Sequence, residues 1–195
     1  METSITKEEL ADLPVEEFEG RIIVIQDDKE AKKATDYLST QTLLGFDSET
    51  RPNFKKGSSN KIALIQISTQ DTCFLFRLNH IGIPEGLTRI LTSPDIKKIG
   101  LSLKDDFAAI RKRKSIEPAN FVDLQTMVKK YGITDIGLQR IYGILFGKRI
   151  TKGQRLTNWE AEILSDAQKK YAALDAWSCL QIYNQLLSIN PNPAL

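Results

Sequence analysis

Asp47 and Glu49 close the apolar run Leu43–Thr50, which reads Leu-Leu-Gly-Phe-Asp-Ser-Glu-Thr. In a strand, alternate side chains share a face, so these two carboxylates point one way and Ser48 the other. Two like charges beside a buried strand repel each other and resist desolvation; a divalent cation removes that cost. An acidic surface turn at a strand end has the same residues, so the pair alone leaves both readings open. Leu103, Asp106, Phe107 and Ile110 fall at the i, i+3, i+4, i+7 spacing of a core-facing helical stripe. Asp106 is out of place there unless something compensates it or it reaches water at the stripe edge. Its neighbour Asp105 lies off the stripe, and Ser102-x-x-Asp105 has the form of a capping pair. Tyr171 and Asp175 share one helix face beside Leu174, Trp177 and Cys179. A simple hydroxyl–carboxylate pair is the plain alternative for them.

These groups need a scaffold, and 195 residues with 41% hydrophobic and 27% charged side chains suffice for one domain with a sizeable core. A net charge of +2 gives no overall pull toward nucleic acid, so an anionic partner must be drawn by local clusters. The single histidine excludes a multi-histidine metal site. Cys73 and Cys179 read as buried free thiols. With apolar stretches too short for a bilayer and no signal-peptide core, the expectation is a cytoplasmic protein that meets no membrane.

The expected elements begin with an arm over residues 1–17, with a short helix starting near Thr6. The domain follows over 18–190. An edge strand is expected at 21–25, then a helix over 28–39 burying Ala31, Ala34, Tyr37 and Leu38. A strand over 42–47, a polar loop over 51–61, and a hairpin of 61–68 with 72–76 come next, the first hairpin strand alternating in polarity. Helices are expected over 85–91 and from Leu103 into the basic run 111–114, with a strand over 96–101 between them. The strand 120–124, a helix through 130, a helix over 137–146, and a last helix capped by Ser165 and Gln168 complete the chain. One mixed sheet flanked by helices, an α/β domain, accommodates this order, and such sheets place ligands at the carboxyl ends of central strands.

Taken together, three segments resemble the tyrosine branch of the DEDD-type 3′–5′ exonucleases, the group of ribonuclease D and the Werner syndrome exonuclease domain. They are Phe46-Asp47-Ser48-Glu49-Thr50, the stretch from Lys98 to Asp106, and Tyr171-Ala172-Ala173-Leu174-Asp175-Ala176-Trp177. Asn120-Phe121-Val122-Asp123-Leu124 and Thr157-Asn158-Trp159 match as well, so the likeness spans residues 18–187. Ser102 departs from a position where such domains often carry glycine, and Asp105 adds a second acid beside the expected ligand.

The resemblance implies a ribonuclease H-like fold. It also implies that Asp47, Glu49, Asp106 and Asp175 hold two divalent cations, Mg²⁺ or Mn²⁺, which suits an oxygen-only donor set. Tyr171 would orient the attacking water, and the product would be a nucleoside 5′-monophosphate from a 3′ end. Arg51, Lys55 and Lys56, and then Lys148, Arg149, Lys152 and Arg155, are candidate phosphate contacts to a nucleic-acid strand; Trp159 could stack on a base or pack in the core. The run 111–114 reads as a solvated charge run. A phosphotransferase using Asp47 as nucleophile fits less well, since Glu49 stands where a second aspartate belongs. A non-catalytic nucleic-acid-binding module with the same fold is the other alternative.

Overall fold

Short runs rich in Ile, Leu and Phe form six strands: β1 (Arg21–Ile25), β2 (Leu43–Thr50), β3 (Ile62–Ser68), β4 (Thr72–Arg77), β5 (Lys97–Gly100) and β6 (Phe121–Asp123). The helices are α1 (Lys7–Asp12), α2 (Asp28–Leu38), α3 (Leu78–Ile81), α4 (Glu85–Thr92), α5 (Leu103–Arg113), α6 (Leu124–Met127), α7 (Leu138–Phe146) and α8 (Asp166–Ser188). The computed structural model describes residues 2–52 and 61–189.

The strands make one sheet in the order β1-β4-β3-β2-β5-β6. β3 runs antiparallel to β2 and β4, and the other neighbouring pairs are parallel. β1 lies at an edge, as its sequence predicts. One apolar core joins α6, α7 and α8 to one face of the sheet; the other joins α2, α3, α4 and α5 to the opposite face. This is the expected mixed α/β architecture.

Local chemistry sets the helix ends. Thr6 and Glu9 form a complete capping box at α1, and Ser165 and Gln168 form one at α8. Each satisfies backbone donors that a first turn leaves open.

Three expectations are corrected. β2 continues to Thr50, so Asp47 and Glu49 lie within the strand, in the stretch from Gly45 to Thr50 that β3 pairs. β3 is buried at every position rather than on one face, because it is central and helices cover both sides. Tyr37 is 44% exposed, and Thr35 takes the buried place on α2, where its hydroxyl donates to the Ala31 carbonyl at 2.9 Å.

Gly45 is where β2 and α8 meet. A Cβ there would run into the Ala176 carbonyl oxygen, next to Asp175. The absence of a side chain lets α8 lie directly on β2, one residue from Asp175 and two from Asp47. Gly45→Ala should therefore cost about 1–3 kcal/mol in urea unfolding, the scale of an overpacked core. Gly153→Ala, which has open space around its Cβ, should cost under about 0.5 kcal/mol.

Candidate active site

Asp47 and Glu49 stand opposite Gln66 and Leu64 in the β2–β3 register, and Leu64 belongs to the core beneath α8. Both carboxylates thus share the α8 face. Ligand oxygens of Asp47, Glu49 and Asp175 lie within 4.8 Å of one another. Tyr171 sits one turn before Asp175, and its hydroxyl interacts with that carboxylate. Residues more than 120 positions apart in the chain meet here because α8 crosses β2.

Asp106 is not a member of that trio. It projects from the first turn of α5, and its Oδ1 accepts a hydrogen bond from Ser48 Oγ, on the other face of β2. Asp105 beside it is exposed. The expected capping pair does not form: Ser102 makes no side-chain cap bond and has φ of 60°. Asp123 does the capping instead, accepting from the backbone N–H of Ser102 at 3.1 Å and of Leu103 at 3.0 Å. The left-handed backbone at Ser102 is the physical reason a glycine suits that position, since Cβ is disfavoured there. Asp123, at the end of a strand and ahead of a helix, carries a recognisable N-cap signal. Its partners on a different helix were not legible.

Burial pushes all four acids upward. Asp47 is raised well above the ordinary carboxylate range by burial, then by Asp175, Glu49 and Asp106. Glu49 reaches about 9 through burial, Asp175 and Asp106, with Arg155 opposing. Asp175 reaches about 7 through burial, while Tyr171 and Lys152 hold it down. Asp106 reaches about 6 through burial, against the Ser48 hydrogen bond. Tyr171 is pushed up by burial and by the Asp175 and Glu49 charges, so its hydroxyl keeps its proton at neutral pH. Oxygen-only donors, crowded and short of compensating charge, fit a hard divalent cation.

A cleft of about 320 Å³ opens on Asp47 and Asp175 of the trio, lined also by Ser102, Gln139, Lys152, Arg155 and Tyr171. Of the predicted basic residues, Lys152 and Arg155 face it. Lys148 and Arg149 do not: Lys148 pairs with Glu16 at 3.0 Å, and Arg149 Nε donates to the Leu13 carbonyl at 2.9 Å. Both fasten the segment that follows α1. Arg51 pairs with Glu160 at 3.6 Å, while Lys55 and Lys56 lie outside the described residues.

Trp159 is wholly buried, 6.0 Å from the Tyr171 ring, and presents no face to a base. Its loop is held down by Arg77, which donates to the Ala161 and Glu162 carbonyls. The run at 111–114 is only partly solvated, for Arg113 donates to the Ile62 and Leu78 carbonyls at 3.0 and 2.9 Å. Sequence reading also missed Gln66, fully buried opposite Asp47, with neither amide atom hydrogen-bonded among the described residues.

Residues 22–189 match the family model described as 3′–5′ exonuclease, and the chain belongs to that family. It is 28% identical over 184 residues to the bifunctional 3′–5′ exonuclease/ATP-dependent helicase WRN of Mus musculus, covering 89% of this chain and 13% of that protein. It is 29% identical over 189 residues to a 3′–5′ exonuclease of Arabidopsis thaliana, covering 89% of this chain and 66% of the relative. Among solved structures, ribonuclease D of Trypanosoma brucei in complex with RNA superposes with a TM-score of 0.79 at 18% identity, over 90% of this chain and 65% of that one. That likeness is one of fold.

The raised carboxylates bind protons in the folded chain at pH values where the unfolded chain has released them. Stability must therefore fall as pH rises from the unfolded range toward the folded values of about 6, 7 and 9 for Asp106, Asp175 and Glu49. In EDTA the melting temperature should drop between about pH 5 and pH 8, and saturating Mg²⁺ should flatten the slope. A melting temperature that climbs over that interval in EDTA would mean the acids are already compensated.

Proposed function

We propose that this chain is a metal-dependent 3′–5′ exonuclease that hydrolyses nucleic-acid phosphodiesters and releases nucleoside 5′-monophosphates. The convergence of Asp47, Glu49 and Asp175 oxygens within 4.8 Å, with Tyr171 one helical turn away, carries this reading. Family membership and the RNA bound by the Trypanosoma brucei ribonuclease D agree with it.

Asp47, Glu49 and Asp175, joined by Asp106, would hold two divalent cations, Mg²⁺ or Mn²⁺. Such ions lower the pKa of water and offset charge on the leaving 3′ oxygen. The Tyr171 hydroxyl, kept protonated by its surroundings, orients the water that adds to phosphorus. The buried Trp159 ring supports the Tyr171 ring from behind. Lys152 and Arg155 border the cleft and meet the phosphates of the entering strand. One water is consumed for each phosphodiester broken.

The test is digestion of 5′-labelled DNA and RNA strands with Mg²⁺ or Mn²⁺, which should give a ladder of products shortened from the 3′ end. Asp47→Ala and Asp106→Asn should abolish it, and EDTA should stop it. Asp105→Asn should keep most activity, since its side chain is exposed and caps nothing. Tyr171→Phe should lower kcat by roughly ten- to thousand-fold, the scale of one positioned catalytic hydrogen bond. A blocked 3′ end that leaves the rate unchanged, or a wild-type chain that binds strands without turnover, would favour the binding-module alternative.

Phosphate contact is tested separately. Lys152→Ala with Arg155→Ala should weaken binding to long strands and reduce the salt slope by about two, one for each lost phosphate contact. Lys148→Ala should leave that slope unchanged, because its ammonium already pairs with Glu16.

A further inference from the structure

Ser48 is a residue that the acidic motifs do not account for. It shares its face of β2 with Phe46, away from Asp47 and Glu49, yet its hydroxyl donates to Asp106. The sheet register explains how both can be true. β5 accompanies β2 only from Leu43–Lys97 to Gly45–Ile99, then ends at Gly100. Beyond Gly45, β2 is paired on its β3 side alone among the described residues, and α5 begins beside the open edge. Leu103 of α5 packs in the same core as Phe46, so the first turn of that helix brings Asp106 to β2 from the Ser48 side. Its charge is felt by Asp47 and Glu49 on one face, while Ser48 on the other face holds it.

We propose that Ser48 is a positioning residue that holds Asp106 away from the Asp47–Glu49–Asp175 trio, so that the two cation sites fill with unequal affinity. This rests on the exonuclease reading of the same site. The trio offers three ligands without rearrangement. Asp106 can contribute to the second site only by exchanging the Ser48 hydroxyl for the cation. The bond given up is a hydroxyl donating to a carboxylate, among the stronger kinds of protein hydrogen bond. Its loss is charged entirely to the second binding step, and the first step is spared.

The test titrates Mn²⁺ alone into metal-free protein, with free Mn²⁺ read by electron paramagnetic resonance. Wild type should bind two ions in separate steps. Ser48→Ala should tighten the second step by about tenfold and leave the first unchanged, because Asp106 no longer has a hydroxyl to leave. Ser48→Thr, which keeps a hydroxyl at that position, should bind as wild type does. In Asp106→Asn the effect of Ser48→Ala should vanish, since the coupled partner is gone.

Equal isotherms for wild type and Ser48→Ala would overturn the proposal, and so would a weakened second step, which would make Ser48 a support that presents Asp106 as a ligand. Should Ser48→Ala fail to fold, an altered second step in Ser48→Thr would count against the proposal in its place. Wild type binding fewer than two ions would instead overturn the two-cation reading beneath it, and would be seen before any variant is made.

Discussion

The contact between Gly45 on β2 and the Ala176 carbonyl on α8 is the constraint from which the site follows. A helix normally stands off a sheet by the length of its side chains. Here one glycine removes that spacing at a single point. Asp175 precedes the contact on the helix and Asp47 lies two residues beyond it on the strand, so the close approach fixes both acids at once. The long apolar interface of α8, with Ala172, Ala173, Ala176 and Ile182 fully buried, holds the helix in that register. Its small residues, Ala172, Ala173, Ala176, Ser178 and Cys179, cluster around the contact, as a short separation requires.

The same packing creates an electrostatic liability. Asp47, Glu49 and Asp175 are gathered at the floor of a cleft where water screens them only in part, and each is raised by burial before any neighbour is counted. A core built only for stability would not assemble such a cluster. The surrounding residues manage the charge without neutralising it. Lys152 and Arg155 lower Asp175 and Glu49 across the cleft, Tyr171 adds a hydroxyl, and Ser48 takes Asp106 aside. What remains is a site whose own groups favour a cation.

Around the cleft, cationic side chains close to one another in sequence have been put to different uses. Lys148 and Arg149 bind the chain that follows α1 to the loop after α7, with a β-bridge between Val15 and Arg149 adding backbone bonds. Lys152 and Arg155, only a few residues on, face the acids. Arg77 and Arg113 are spent on backbone carbonyls, which fixes the Trp159 loop and the start of β3. Basic residues here thus divide between fasteners of the chain and groups that face the cleft.

The element order, the mixed sheet, the capping box of α8, the helix start at Thr6 and the acids on three separate segments were legible in the sequence, because each rests on local periodicity or spacing. Asp47 and Glu49 share a face by strand geometry alone, and Tyr171 and Asp175 share one by helix geometry. Local rules fail where a partner lies far along the chain. Nothing near Ser102 reveals that Asp123, on another strand, accepts its backbone N–H, and nothing near Lys148 reveals Glu16. Whether Trp159 meets solvent or the core depends on Arg77, more than eighty residues earlier. The side on which Asp106 rests was likewise beyond the sequence. It is decided by where β5 leaves β2 and by a serine on the opposite face, and only the folded sheet brings those together.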